Sequence, residues 1–196
     1  MAVACPVAVS HGIALAQEKP GWVPISSEKE AMAVAMLKAM RPGEPHKLLA
    51  SLAGEWTITT RLWMEPGAPA SESKGTASST MVMGGRYLRT AYQGDMLGVA
   101  FEGFGLMAHD NTTGQYQSVW MDNMSTTLMF MTGSYDAAAK AFTMSTEMSD
   151  LVDPETKVPV RQVLKITDAE THTMEMFETR GGKETLTLEI RYARKR

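Results

Sequence analysis

The residues best suited to hold or transform a small molecule are Arg86, Tyr92, Trp120 and Asp122. Side chains two positions apart on a strand share one sheet face, so Trp120 sides with Asp122, and Arg86 with Leu88 and Tyr92. An arginine meeting an aspartate inside an apolar enclosure would fix charge in a low dielectric, where it could hold a carboxylate or polarise a carbonyl. The same pair, given a perturbed aspartate, could supply acid and base. That is the basis of an alternative enzyme reading, an isomerase, cyclase or hydratase acting on a buried substrate. No nucleophile motif supports it: the chain holds no Walker loop, H-E-x-x-H, C-x-x-C or G-x-S-x-G. Gly103-Phe104-Gly105-Leu106-Met107-Ala108 fits G-x-G-x-x-A, yet a turn and not a helix follows it. A strand with bending or closely packed glycines is the expectation there, and a dinucleotide cradle is not.

The histidines, His11, His46, His109 and His172, show no ligand spacing, so no zinc site is expected. His172 alternates with Met174 and Met176 and would suffice for axial haem ligation if it faced an apolar cavity, but an exposed hairpin end is the expected place for it and for His109. Methionine is the compositional oddity, 17 of 196 residues. Met81/Met83, Met129/Met131 and Met174/Met176 are spaced to share faces, as are Met144 and Met148. Flexible thioethers suit the wall around an apolar ligand, and soft sulfur also suits Cu(I). Packing and cavity lining are the reading taken, with Met144, Met174 and Met176 joining Arg86, Tyr92, Trp120 and Asp122 as candidate ligand-binding residues. No cofactor is specified by any of these residues.

What must position these side chains is a β-structure. After Gly54, turn signals recur about every ten residues, from Pro66-Gly67 through Gly84-Gly85, Gly94-Asp95 and Asp110 to Gly114, and on to Gly181-Gly182. Between them, strand-like segments at 55–64, 72–83, 85–92, 98–108, 115–122, 126–134, 141–148, 160–167, 172–178 and 184–193 alternate apolar with polar residues, most clearly in Trp56/Ile58/Thr60/Leu62 and Leu186/Leu188/Ile190/Tyr192. Connectors this short allow only antiparallel neighbours. About ten such strands close most simply into a single up-and-down antiparallel barrel, which removes both sheet edges. A two-sheet sandwich is the alternative.

Ahead of the strands, residues 27–40 read as an amphipathic helix with a Ser27/Glu30 capping box. Arg41-Pro42-Gly43 ends it, and Met32, Met36 and Met40 are expected to dock on the domain as core. A second helical turn spans 46–52. Residues 1–16 are rich in small apolar residues and close with Ala14-Leu15-Ala16, an A-x-A cleavage pattern, although no Lys or Arg precedes the apolar run. The organisation read from the sequence is a signal peptide over 1–16, an extension over 17–43 and a barrel over 44–196. The protein is then periplasmic or secreted, with a cytoplasmic location as the alternative.

Composition bounds the partners. With Lys+Arg 19 against Asp+Glu 22, the net charge is −3, so no positive field is available for nucleic acid. No stretch approaches the roughly 18 uncharged apolar residues of a membrane span. A single cysteine forms no internal disulfide. The expected partner is a small apolar or amphipathic molecule held by an exported barrel, with a solid-barrel interaction module as a further alternative; a homodimer stays open.

Leu52-Ala53-Gly54-Glu55-Trp56 is a G-x-W that follows a helical turn and opens the first strand. With His46-Lys47-Leu48-Leu49, Gly84-Gly85-Arg86-Tyr87-Leu88, Phe101-Glu102-Gly103-Phe104-Gly105, Trp120-Met121-Asp122 and Glu189-Ile190-Arg191-Tyr192, it resembles the bacterial domain-of-unknown-function family 1579, a lipocalin-like, calycin-type β-barrel family. The resemblance covers roughly residues 44–194. It implies that Gly54 and Trp56 belong to the barrel's base, with Arg191 or Arg194 packed across the indole, a contact that cation-π attraction favours. His109-Asp110 departs from the tyrosine-aspartate of that family. The resemblance implies a fold and a cavity and carries no activity.

Overall fold

A computed structural model describes residues 26–196. The segment read as a signal peptide lies outside the described residues. Helix α1 spans Ser27–Met40 and helix α2 Glu44–Ala50. Ten strands follow: β1 Gly54–Leu62, β2 Ser71–Val82, β3 Tyr87–Met96, β4 Val99–His109, β5 Tyr116–Asp122, β6 Met129–Asp136, β7 Ala141–Ser149, β8 Lys157–Ile166, β9 Thr171–Arg180 and β10 Lys183–Arg194. Each pairs antiparallel with its chain neighbours, and β1 pairs with β10, so the sheet closes into an up-and-down barrel. Closure sets Trp56 opposite Arg194 and Ile58 opposite Tyr192.

The alternation read from the sequence sets the inward phase of most strands: Trp56, Ile58 and Thr60 on β1, Leu88, Thr90 and Tyr92 on β3, and Met129 and Met131 on β6 face the interior. It breaks in β10, where an irregularity in the pairing between Leu186 and Leu188 sets Leu186 opposite Phe177 and Leu188 opposite Met176. Since Met176 faces inward, Phe177 and Leu186 lie on the outer face, where the Arg161 guanidinium sits 4.2 Å from the Phe177 ring. A one-residue bulge shifts every later side chain to the other face, so no unbroken alternation could place both ends of this strand.

One end of the barrel is packed solid. Leu49 and Leu52, from α2 and the turn after it, join Leu88, Met107, Tyr116, Met131, Phe142, Met144 and Val160 in one buried cluster. Burying these side chains together is what holds α2 against β2, β3 and β4. Gly133 is where β6 presses closest to β7: a Cβ there would stand 1.9 Å from the Thr143 carbonyl oxygen and 2.8 Å from the Met144 Cα. Both atoms are backbone and cannot swing aside. Gly133→Ala is therefore expected to force the strands apart and cost about 2 kcal/mol, within the usual range for overpacking. Urea denaturation of the purified variant checks this; an unchanged midpoint would show that the pair opens freely.

Two expectations for the helical segment are corrected. The N-cap is Ser26 rather than Ser27, its Oγ accepting the Lys29 N–H at 3.4 Å. Nor is Met40, at the end of α1, buried: it is 57% exposed and so is not core. Among the described residues no helix is long and apolar enough to cross a membrane.

Candidate functional site

The barrel's other half is hollow. A cavity of about 370 Å³ runs from Leu52 and His172, near the helix-capped end, to the opposite rim at Asp95, Met124 and Ser125. Its surface is largely apolar, with Ile58, Leu88, Met107, Met129, Met174 and Ile190, and the polar side chains of Thr60, Ser79, Thr90, Ser118 and Gln162 are set among them. That combination of a largely apolar surface and placed polar groups is characteristic of small-molecule sites.

Aromatic residues cross the interior in an unbroken series of contacts. Trp120, inward on β5, stacks with Phe101 at 6.3 Å between centroids and meets the edge of Tyr92 at 4.9 Å. Its indole lies flat across β4, and Gly103 makes room for it: a Cβ at Gly103 would fall 2.4 Å from the six-membered ring. The glycines of the G-x-G-x-x-A therefore clear space for a tryptophan, in a strand, as their context predicts. Trp120 Nε1 donates to Asp122 Oδ2 at 2.7 Å, while Asp122 Oδ1 accepts the Met124 N–H at 2.9 Å. The carboxylate is thereby clamped at the rim, facing the cavity.

Deeper in, the hydroxyls of Tyr92 on β3 and Tyr192 on β10 hydrogen-bond to each other. They come from strands separated by β1 and β2, and Ala77 on β2 is small enough to let the two rings meet. Burial pushes the Tyr92 hydroxyl up to about 12, outweighing the opposing effect of its bond to Tyr192. Tyr192 is raised well above its ordinary value, first by burial and then by Tyr92 beside it. Both hydroxyls are neutral at any physiological pH.

Tyr192 stacks on His172 at 4.1 Å, and His172 meets the edge of Trp56 at 4.4 Å. His172 is only 5% exposed; it is not the exposed hairpin end expected from its sequence position. Burial, and secondarily the Arg194 charge, lower its pKa to about 4, so the imidazole is neutral. His109, the other histidine expected in the open, is half-buried at the closed end against Tyr116.

The base of the barrel carries the tryptophan. Trp56 donates from Nε1 to the Leu52 carbonyl at 3.2 Å, and the Arg194 guanidinium lies 4.2 Å over its ring. Of the two candidate cations, Arg194 is the one that packs on Trp56. Arg191 points outward, paired with Glu189 at 2.9 Å. Gly54 has a φ of 145°, and a Cβ there would strike the Arg194 guanidinium at 2.2 Å, so the glycine of the G-x-W makes space for the cation.

Three sequence expectations for the site are corrected. Arg86 lies in the β2–β3 turn, outside the cavity wall, donating from Nη1 to the Met83 carbonyl at 3.1 Å and from Nη2 to the Met40 carbonyl at 2.7 Å. It caps the end of α1 together with Asn111, whose Nδ2 reaches the carbonyls of Lys38, Ala39 and Arg41. The Arg86–Asp122 pair does not form, and the enzyme reading loses the constellation it rested on. Met144 is fully buried in the packed end and does not line the cavity. Met83 lies beyond the end of β2 with a φ of 50° and is exposed, so it does not share a face with Met81. Tyr92, Trp120, Asp122, Met174 and Met176 all line the cavity. Tyr192 and His172 line it too and are not among the candidate site residues, although the alternation around Ile190 already puts Tyr192 on an inward face.

The fold is similar to that in the crystal structure of Rv2717c from M. tuberculosis, at 12% identity, covering 80% of this chain and 100% of that one with a TM-score of 0.57. No curated protein matches the chain. Residues 41–194 match the model of the family described as "Protein of unknown function (DUF1579)". The closed ten-strand barrel with its G-x-W base is the fold that the sequence resemblance implied, and the chain belongs to the DUF1579 family.

Proposed function

We propose that the protein is an exported binding barrel that holds a small apolar or amphipathic molecule in its interior. The observation that carries this reading is the cavity of about 370 Å³, lined by methionine, leucine and isoleucine with the Tyr92–Tyr192 and Trp120–Asp122 pairs set into it. Close packing leaves few internal voids larger than a water molecule, so a space this large inside a closed barrel favours an occupant. Flexible Met129, Met148, Met174 and Met176 side chains allow the wall to adapt to that occupant's shape. Export rests on the A-x-A pattern at Ala14–Ala16.

Native mass spectrometry of the protein purified from its own host, with the same sample denatured to release whatever it holds, tests both parts. The expected result is one retained organic molecule per chain and a polypeptide mass beginning at Gln17. A bare chain that also fails to bind the uncharged fluorophore N-phenyl-naphthylamine would defeat the binding reading; a mass that includes residues 1–16 would defeat export. The same spectrum gives the oligomeric state and so tests a homodimer.

A further inference from the structure

Besides Tyr92, Tyr192 and His172, the polar side chains of Thr60, Ser79, Thr90, Ser118 and Gln162 line the cavity, Ser79 and Thr90 bonding each other at 2.9 Å; the tyrosine pair is the one that reaches across the interior from β3 to β10. Each tyrosine hydroxyl has one proton. The bond between Tyr92 and Tyr192 uses one of the two, and neither hydroxyl has another partner among the described residues. One O–H is therefore left to point at the cavity that both rings line. His172, nearly fully buried against Tyr192, also lines the cavity, and its ring makes no hydrogen bond among the described residues.

The charges are lopsided. Among the charged residues around the cavity, Lys74 and Asp95 are exposed and occupy outward positions of their strands, between inward Ser73 and Gly75 and between inward Gly94 and Met96. Those that face inward are the carboxylates Asp122 and Glu178, the latter paired at 3.0 Å with the exposed Arg180, which does not line the cavity. Arg194 is engaged by the Trp56 ring and by the Ala53 and Ala169 carbonyls, and Arg86 by the Met40 and Met83 carbonyls. No cation faces the interior from the described residues.

We infer that the cavity selects uncharged molecules carrying a hydrogen-bond-accepting oxygen, a ketone, ester or amide, seated on the Tyr92–Tyr192 hydroxyl pair, and that it rejects carboxylates. This deepens the binding reading above and rests on it. A carbonyl oxygen takes the spare O–H, and the rest of the molecule lies along the methionine wall. A carboxylate in the same place would be stripped of water with no cation to meet it, and would have Asp122 at the mouth as a like charge. The raised hydroxyls of both tyrosines remain donors across the physiological range, and the neutral His172 adds no compensating charge.

The test is competition at pH 7.5 between N-phenyl-naphthylamine and two molecules of matched length, methyl heptyl ketone and nonanoate, on the full chain. The ketone is expected to displace the fluorophore at a concentration at least about tenfold below that of nonanoate, the scale of one hydrogen bond gained and one uncompensated charge buried. Tyr92→Phe and Tyr192→Phe should each keep that preference, because the surviving hydroxyl still donates. The double variant should lose about tenfold in ketone affinity relative to its own affinity for the fluorophore. Equal displacement by ketone and nonanoate, or tighter binding of nonanoate, overturns the selectivity while the binding reading stands. Failure of the fluorophore to bind at all overturns both. The wild-type comparison decides the matter even if the double variant does not fold.

Discussion

Trp56→Ala is expected to destabilise the barrel by about 4 kcal/mol, the middle of the range for deleting a buried tryptophan. The ring is 1% exposed and touches three partners that have no substitute. The Leu52 carbonyl would lose the Nε1–H donor that ties the turn after α2 to β1. Arg194 would lose the ring beneath its guanidinium, a contact of about 1 kcal/mol. His172 would lose one of the two aromatic partners against which it is buried. Small domains hold together by only about 5–15 kcal/mol, so a loss of this size should shift the urea midpoint far below that of the wild type. Two controls locate the effect. Arg194→Ala should cost about 1 kcal/mol or more, and Arg191→Ala, on the outer face, less than about 0.5 kcal/mol. Equal costs at the two arginines would refute the assignment of Arg194 as the cation over the tryptophan.

Acid is expected to weaken the fold through His172 by up to about 3 kcal/mol. The imidazole titrates near its ordinary value of 6.5 once unfolded and at about 4 when folded. Between those values the unfolded chain binds the proton and the folded one does not, so stability is fully present above pH 6.5 and falls as pH drops toward 4. Each pH unit in that window removes about 1.4 kcal/mol. The physical cause is the burial of the ring, with the Arg194 charge opposing a second cation beside it. Asp150, held down to about 2 chiefly by its hydrogen bond from Arg180, loses its contribution at lower pH, whereas His46, lowered first by burial and then by the neighbouring His109 and Arg86, adds a loss of the same sign in the same window. Urea midpoints at pH 7.5 and 4.5 for wild type and His172→Gln measure the effect, with the variant expected to lose less stability on acidification. Parallel losses in the two proteins would place the acid sensitivity elsewhere.

Most of the architecture is readable from the chain because β-structure writes itself locally. Turn residues mark the hairpins, and alternation such as Trp56/Ile58/Thr60 marks the buried face wherever one side is wet. Arg86 shows where that logic stops. Its spacing from Leu88 and Tyr92 is correct, but β3 begins at Tyr87, and a periodicity carried back into the Gly84-Gly85 turn has no sheet to act on. Leu186 fails for a related reason, since a bulge inside an apparently regular strand reverses the phase. The tyrosine pair was beyond local reading altogether. Tyr92 and Tyr192 lie 100 residues apart in the sequence and meet only because the last strand returns to the first. The burial of His172 has the same origin, since Trp56 and Tyr192, which enclose it, come from the two strands that join at closure.

That closure also governs how the chain reaches its fold. Thr57 and Ala193, bonded across the β1–β10 seam, are 136 positions apart, and the loop entropy of joining them has to be met before their contacts return anything. The seam is thus a late event for a chain made from its N-terminus. Until Arg194 arrives, β1 presents unpaired backbone groups on one edge, and whichever strand was last made presents them on the other. Trp56, Tyr92 and His172 each take one partner from β10, so the interior of the barrel is completed only with its closure. A chain cut short before its final strand would have neither a sealed sheet nor a formed cavity, and its exposed edges would be templates for aggregation.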